Sequence, residues 1–191
     1  MNENFSDKEC YDKTYSRESV LRAEEYENCR FNNCDFSGLD LSSVKFLECE
    51  FTGCNLTLPK TVKTVFSRVQ FKECKLLGLR FDQCNEFGLI FRFENCLLDQ
   101  SSFYKTKIKK TVFKKSQLHE VDFAECDLSG AVFDDCDLLN ARFEYSIMEK
   151  ADFRSAYNYS IDPERNKIRK ARFSLSGAVR LLDKYDIEVE E

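Results

Sequence analysis

With 191 residues the chain is long enough for one domain to bury a continuous core without disulfides or metal. Its 29 Lys and Arg against 34 Asp and Glu leave a net charge of −5, which excludes a strongly basic nucleic-acid binder, so no direct nucleic-acid contact is expected. Only 6 Gly and 2 Pro exclude collagen-like and linker-rich chains. The first residues lack a signal-peptide apolar stretch and no bilayer-spanning run occurs, so a cytoplasmic protein without membrane contact is expected.

Along the chain, residues 1–18 carry no regular pattern and are expected to form a partly disordered N-terminal segment, with Cys10 as an exposed thiol. From residue 19 a large apolar side chain recurs at every fifth position: Leu21, Tyr26, Phe31, Phe36, Leu41, Phe46, Phe51 and Leu56, then Phe66, Phe71, Leu76 and Phe81. Over 57–64 the spacing survives, but Thr61 stands at a large position with Pro59 two before it, which predicts a coil weak on one face. Between Phe81 and Phe93 the step is 12 rather than 10, which predicts a two-residue bulge near 85–92 with Phe87, Leu89 and Ile90 at an apolar tip. A second run continues from Phe93 to Phe153 without a miss, and Phe173 closes the repeat at 19–173. Residues 174–191 follow as a capping or dimerisation segment. There Ser174 or Ser176 is placed to cap a short helix, Leu175, Val179, Leu182 and Tyr185 share one side, and Asp186 lies past its end. Ile187-Glu-Val-Glu alternates as a short strand does.

Two residues before each large side chain lies a small one, and nine of the 10 Cys occupy that slot. A period of five with inward residues two apart matches neither a 3.6-residue helix nor a long alternating strand. It matches a short extended piece and a turn, repeated so that each coil lies on the last. If four pieces close a coil, residues 20 apart stack, and like does fall on like: Phe93, Phe113, Phe133 and Phe153 form one column, Phe103, Phe123 and Phe143 another. Units such as Ala141-Arg-Phe-Glu-Tyr and Cys126-Asp-Leu-Ser-Gly resemble the pentapeptide-repeat family. The resemblance implies an all-β fold, a right-handed quadrilateral β-helix of six to seven coils stacked about 4.8 Å apart, with a short C-terminal helix.

Cys29, Cys34, Cys49 and Cys54 repeat a Cys-x4-Cys spacing, but neighbours face different walls, so they read as small buried hydrophobes rather than zinc ligands. Stacked cysteines such as Cys34 and Cys54 come within disulfide reach, and the cytoplasmic expectation argues against a bond. His119, directly after the inward Leu118, is expected to face solvent. No nucleophile with its base, metal cluster or phosphate loop can be assembled, so neither catalysis nor a cofactor is expected. The sharper signal is charge. Ser116 to Asn140 holds Glu120, Asp122, Glu125, Asp127, Asp134, Asp135 and Asp137 with no Lys or Arg, a candidate partner surface. The 20-residue rule sets Lys105 beside Glu125, Lys107 beside Asp127, Lys114 beside Asp134, Lys115 beside Asp135 and Asp122 beside Arg142, which leaves Glu120 and Asp137 without partners.

The run from Ile161 to Ser174, with Leu181-Leu182 and Asp186-Ile-Glu-Val, resembles the ends of Qnr-type proteins. That resemblance implies a homodimer joined end to end through the C-terminal part, with Leu175, Val179, Leu182, Tyr185 and Ile187 as dimerisation residues. It also implies a type II topoisomerase, DNA gyrase or topoisomerase IV, as partner, bound by local imitation of DNA and protected from quinolones. The alternative is a structural scaffold that recognises an unrelated protein through the apolar bulge at Phe87 to Phe91.

Overall fold

The structure is a computed structural model that describes residues 9–190; residues 1–8, the start of the expected disordered segment, and Glu191 lie outside the described residues. The five-residue unit folds as a strand of three or four residues and a tight corner. The strands are β1 (Glu9–Tyr11), β2 (Thr14–Ser16), β3 (Glu25–Glu27), β4 (Arg30–Asn32), β5 (Lys45–Leu47), β6 (Glu50–Thr52), β7 (Val65–Ser67), β8 (Val69–Lys72), β9 (Phe91–Glu94), β10 (Val112–Lys114) and β11 (Val132–Asp134). All pair in parallel, in a seven-stranded sheet ordered β11-β10-β9-β8-β6-β4-β2 and a four-stranded sheet ordered β1-β3-β5-β7. Single parallel bridges carry the other walls, such as Asp35 to Asn55 to Lys75 and Ser102 to Asp122 to Arg142. The result is a right-handed quadrilateral β-helix of about 6 turns.

The register follows the sequence: Phe31 lies opposite Phe51, Phe51 opposite Phe71, and Phe93, Phe113 and Phe133 in line. The helix starts earlier than expected. Cys10 pairs with Tyr26 and Tyr15 with Phe31, so β1 and β2 form a first coil within the segment set aside as patternless. That coil is four residues short, which puts Cys10 and Tyr15 out of phase with the later grid and hides them from a periodicity search. Cys10 is accordingly buried, not an exposed thiol.

Each corner is made by the residue two after the large one, whose backbone enters the left-handed region: φ is 51° at Asn28, 55° at Glu48, 58° at Lys110 and 56° at Tyr145. That conformation costs a non-glycine residue roughly 1–2 kcal/mol. The corner N–H offsets it by donating to the next coil, from Asn28 to the Leu47 carbonyl at 2.9 Å, Glu48 to Ser67 at 2.8 Å and Lys110 to Ser129 at 3.0 Å.

The small slot explains the cysteines. The Cys54 thiol donates to the Phe31 carbonyl at 3.2 Å, Cys74 to Phe51 at 3.4 Å and Cys96 to Phe71 at 3.3 Å. Thr64 and Ser146 make the same bond, to the Leu41 and Phe123 carbonyls at 2.7 Å each. A thiol is thus an apolar-tolerant version of a hydroxyl at a site with one acceptor. All ten cysteines are free, and burial pushes the thiols of Cys49, Cys126 and Cys136 up to about 12, so they stay protonated and inert near neutrality.

The core is two aromatic columns, and one of them changes walls. Phe31, Phe51, Phe71, Phe93, Phe113, Phe133 and Phe153 stack along a single wall with near-parallel rings, 5.0 Å apart at Phe93–Phe113 and at Phe113–Phe133. In the N-terminal coils the second column is Tyr26, Phe46 and Phe66; in the C-terminal coils it is Phe81, Phe103, Phe123 and Phe143, on the next wall. The insertion sits at this switch. Phe71 pairs with Phe93, a step of 22, and no large residue continues the Phe66 column. Phe91 fills the gap from a small slot, its ring 6.0 Å from Phe66, 5.1 Å from Phe81 and 5.4 Å from Phe93. The bulge therefore supplies the core side chain that joins the two halves.

The coil at 57–64 holds its place through Thr61, fully buried with its hydroxyl donating to the Arg80 carbonyl at 2.7 Å. Near the C-terminus Tyr159 and Ile161 replace the missing large residues at Asn158 and Pro163. Helix α1 (Leu175–Val179) is capped by Ser174, whose hydroxyl accepts from Gly177 N–H at 3.0 Å, and a 3-10 turn over Arg180–Tyr185 follows. Gly177 presses on the buried Tyr159 hydroxyl, where a Cβ would overlap it. Ile187 to Glu190 form no strand, having no neighbouring strand to pair with among the described residues.

Phe91→Ala is expected to cost about 3–5 kcal/mol and to split chemical unfolding into two transitions, because the two halves lose their shared ring. A single transition with a loss below about 1 kcal/mol, measured by circular dichroism in urea, would contradict this role.

Candidate functional site

Outward side chains come from the residues on either side of each large one and from the corners, so a surface patch is built from positions 20 apart rather than adjacent in sequence. This disperses the seven acids: their window is about one coil long, and it wraps round all four walls. Asp134 lies on the seven-stranded wall, Asp135 at its corner and Asp137 on the next wall, while Asp122 and Asp127 sit on the remaining two. Glu120 and Glu125 occupy corners.

The structure also rewrites their partners. Glu125 meets Lys105 at 3.5 Å and Asp122 meets Arg142 at 3.9 Å, as expected. Asp127 pairs instead with Lys109 at 3.1 Å, and Lys114 with Glu94 at 2.8 Å. Asp134 takes only the Ser155 hydroxyl at 3.1 Å, and among the described residues neither Asp134 nor Asp135 has a cation within 4.0 Å. The two acids expected to be alone are not. Glu120 accepts from Gln100 at 3.2 Å, and Asp137 lies 2.9 Å from His119 Nε2 and accepts from Asn158 at 2.9 Å. His119 is thus part-buried and tied to a carboxylate rather than turned to solvent. The two contacts of Asp137 bridge neighbouring slots, at spacings of 18 and 21, which a strict 20-residue rule does not find. Burial pushes the Asp137 carboxyl up, and the bonds from His119 and Asn158 outweigh this and hold it below the ordinary carboxylate range. Asp135 and Asp137 border a shallow groove of about 390 Å³ with Leu97, Lys115 and Tyr157.

The bulge is half collapsed. Leu89 is 4% exposed and bridges Ser67, so it belongs to the core and not to a contact surface. Phe87 and Ile90 remain at the tip, 76% and 51% exposed. At the C-terminus Leu181 packs on the core, while Leu175, Val179, Leu182, Tyr185 and Ile187 all face outward. The sequence carried no sign of what fastens this segment: Lys184 reaches Asp162 at 2.8 Å and Glu164 at 2.6 Å, and the Tyr185 hydroxyl donates to Glu164 at 2.9 Å. Among the described residues no three His, Cys, Asp or Glu gather to hold a metal ion, and no helix is long and apolar enough to cross a membrane.

Family models match most of the repeat: pentapeptide repeat region over residues 90–174, and pentapeptide repeats over 27–57. Among solved structures the chain is similar to a trypsin-treated variant of QnrB1, a plasmid-mediated fluoroquinolone resistance protein, at 17% identity and TM-score 0.63, covering 96% of this chain and 99% of that one. It is similar to full-length QnrB1 at 17% identity and TM-score 0.57, covering 94% and 100%. At this identity the likeness concerns the fold. No curated protein sequence matches the chain.

The C-terminal fastening has a pH dependence. Hydrogen bonds from Lys184 hold the carboxyls of Asp162 and Glu164 below their ordinary range. Depressed carboxyls contribute stability above their unfolded values of about 3.9 and 4.3 and lose it as pH falls through the folded values. The Tyr185 ring signals in NMR are therefore expected to move to unfolded positions below about pH 4, and a Lys184→Met variant to show those positions at neutral pH. Signals that hold down to about pH 2 would contradict the latch.

Proposed function

From its membership of the pentapeptide-repeat family, to which this chain belongs, we propose that it is a non-enzymatic interaction protein that binds a type II DNA topoisomerase such as gyrase through local imitation of DNA. The observation that carries the reading is the end-to-end correspondence with QnrB1, a fluoroquinolone resistance protein, over nearly the whole of both chains. The dispersal of the acids narrows the mimicry to one corner. Asp134, Asp135 and Asp137 lie together there, with the first two free of cations among the described residues. The far larger charge density of duplex DNA, one charge per about 1.7 Å, is approached only locally. A cytoplasmic location follows from this partner.

The exposed apolar C-terminal end supports a second copy as its cover. Leu175 is 90% exposed, and Val179, Leu182, Tyr185 and Ile187 are exposed on the same terminal segment. Symmetric pairing closes such an end without leaving a new one. A scaffold reading rests on Phe87 and Ile90 at the bulge tip.

A gyrase supercoiling assay tests the main reading. Added protein is expected to change supercoiling or to restore it in the presence of a fluoroquinolone, and Asp134→Lys with Asp135→Lys to weaken the effect at least tenfold. No effect in either condition rejects it, and partner capture that is lost in Phe87→Ser with Ile90→Ser would then favour the scaffold. In sedimentation the chain is expected to be a dimer that Val179→Asp with Leu182→Asp converts to monomer; a variant still dimeric shows that the helix only caps.

A further inference from the structure

The chain neutralises its charges coil against coil. Glu25 meets Lys45 at 2.8 Å, Glu94 meets Lys114 at 2.8 Å, Lys105 meets Glu125 at 3.5 Å and Asp152 meets Arg172 at 3.7 Å, and Glu48 pairs with Arg68 in the same way. One wall of the C-terminal coils breaks this rule. Residues 107–110, 127–130, 147–150 and 167–170 stack there in register, through bridges from Lys107 to Asp127, Asp127 to Ile147 and Ile147 to Lys167. They hold seven cations and two carboxylates, a local charge of +5 in a chain whose net charge is −5. Lys109 is neutralised by Asp127. Among the described residues Lys107, Lys110, Lys150, Lys167, Arg169 and Lys170 have no carboxylate within 4.0 Å, and all six are exposed.

The corner of this wall is the sharpest case. Lys110, Gly130, Lys150 and Lys170 follow one another, all with positive φ. Lys150 stacks directly on Lys170, a like-charge arrangement that is unfavourable between neighbouring strands. Gly130 has no side chain to separate the cations, and its open face lies against the Lys110 stem. An anion from outside relieves stacked repulsion of this kind.

We propose that this edge is a docking surface for the phosphate backbone of nucleic acid, with duplex DNA as its simplest ligand. The cations repeat along the rod at one and two coil spacings, about 5 and 10 Å, in a line that a phosphate strand can follow. Protein interfaces are depleted in lysine, whereas those with DNA are strongly basic. Among residues 107–110, 127–130, 147–150 and 167–170 no large apolar side chain is exposed to enter a bilayer interface, which disfavours a membrane. With no aromatic side chain there, bases are not stacked, and the contact is independent of sequence. The expectation of no direct nucleic-acid contact came from net charge, which averages this edge with the acids of the other walls. The surface lies apart from the Asp134–Asp137 corner, so it stands whether or not a topoisomerase is bound.

The test is fluorescence anisotropy of a labelled duplex of about 30 base pairs with the full chain. Binding is expected at 50 mM salt and is expected to fall on the order of 10²–10³-fold at 200 mM, as four or five phosphate contacts require. Lys110→Glu, Lys150→Glu and Lys170→Glu together should weaken binding at least tenfold; glutamate already occupies the same corner conformation at Glu48, Glu73, Glu120 and Glu125. A matched reversal of the exposed Arg17, Lys63 and Lys75 should change it less than twofold. Circular dichroism melts of both variants confirm that each is folded. No binding at 50 mM salt, equal losses in the two variants, or binding only to phosphatidylserine vesicles overturns the proposal.

Discussion

Inward side chains stack on those of the neighbouring coils, and this constraint shapes the molecule. A ring such as Phe113 meets Phe93 and Phe133 at 5.0 Å on either side, with Phe123 edge-on across the interior at 5.9 Å. Offset-parallel and edge-on contacts are both favourable arrangements of aromatic quadrupoles. Because a coil contributes only short strands, no coil holds its shape alone; stability accumulates from neighbour to neighbour, as in other solenoids. The left-handed corners are tolerated on the same terms, since their amides find acceptors only in the adjacent coil.

The same repetition governs the surface. A charge is placed beside whatever stands 20 residues away, so surface pattern is a property of columns. Several columns set opposite charges on neighbouring coils and neutralise them. The surfaces on which the proposals rest are the exceptions: the Asp134–Asp137 corner, the lysine edge on another wall, the exposed apolar tip of Phe87 and Ile90, and the open C-terminal end. In the core, by contrast, the cysteines fill small slots: the thiols of Cys54 and Cys74 donate to carbonyls of the neighbouring coil, and burial keeps those of Cys49, Cys126 and Cys136 protonated.

Most of the fold was legible because one period serves both core and backbone. Phenylalanine at every fifth position located the walls, and like-on-like at 20 predicted the register seen between β9, β10 and β11. Legibility failed where the period slips. The first coil is four residues short, so Cys10 and Tyr15 fell off the grid. At the bulge the core side chain turned out to be Phe91, from a small slot, with Leu89 buried beside it. The surface was less legible. Sequence neighbours such as Asp122, Asp127 and Asp137 diverge to different walls, and contacts such as His119 to Asp137 or Lys184 to Asp162 link slots outside the 20-residue rule. Side-chain reach, rather than backbone period, decides those.

Disulfide trapping tests the coil length directly. Val112 and Val132 are outward-facing register partners on β10 and β11, within the separation a disulfide spans. Val112→Cys with Val132→Cys is predicted to form an intramolecular bond under mild oxidant in the folded protein. Val112→Cys with Gln117→Cys, one wall away, is predicted not to. Bond formation in the second pair and not in the first would contradict a coil that closes after twenty residues.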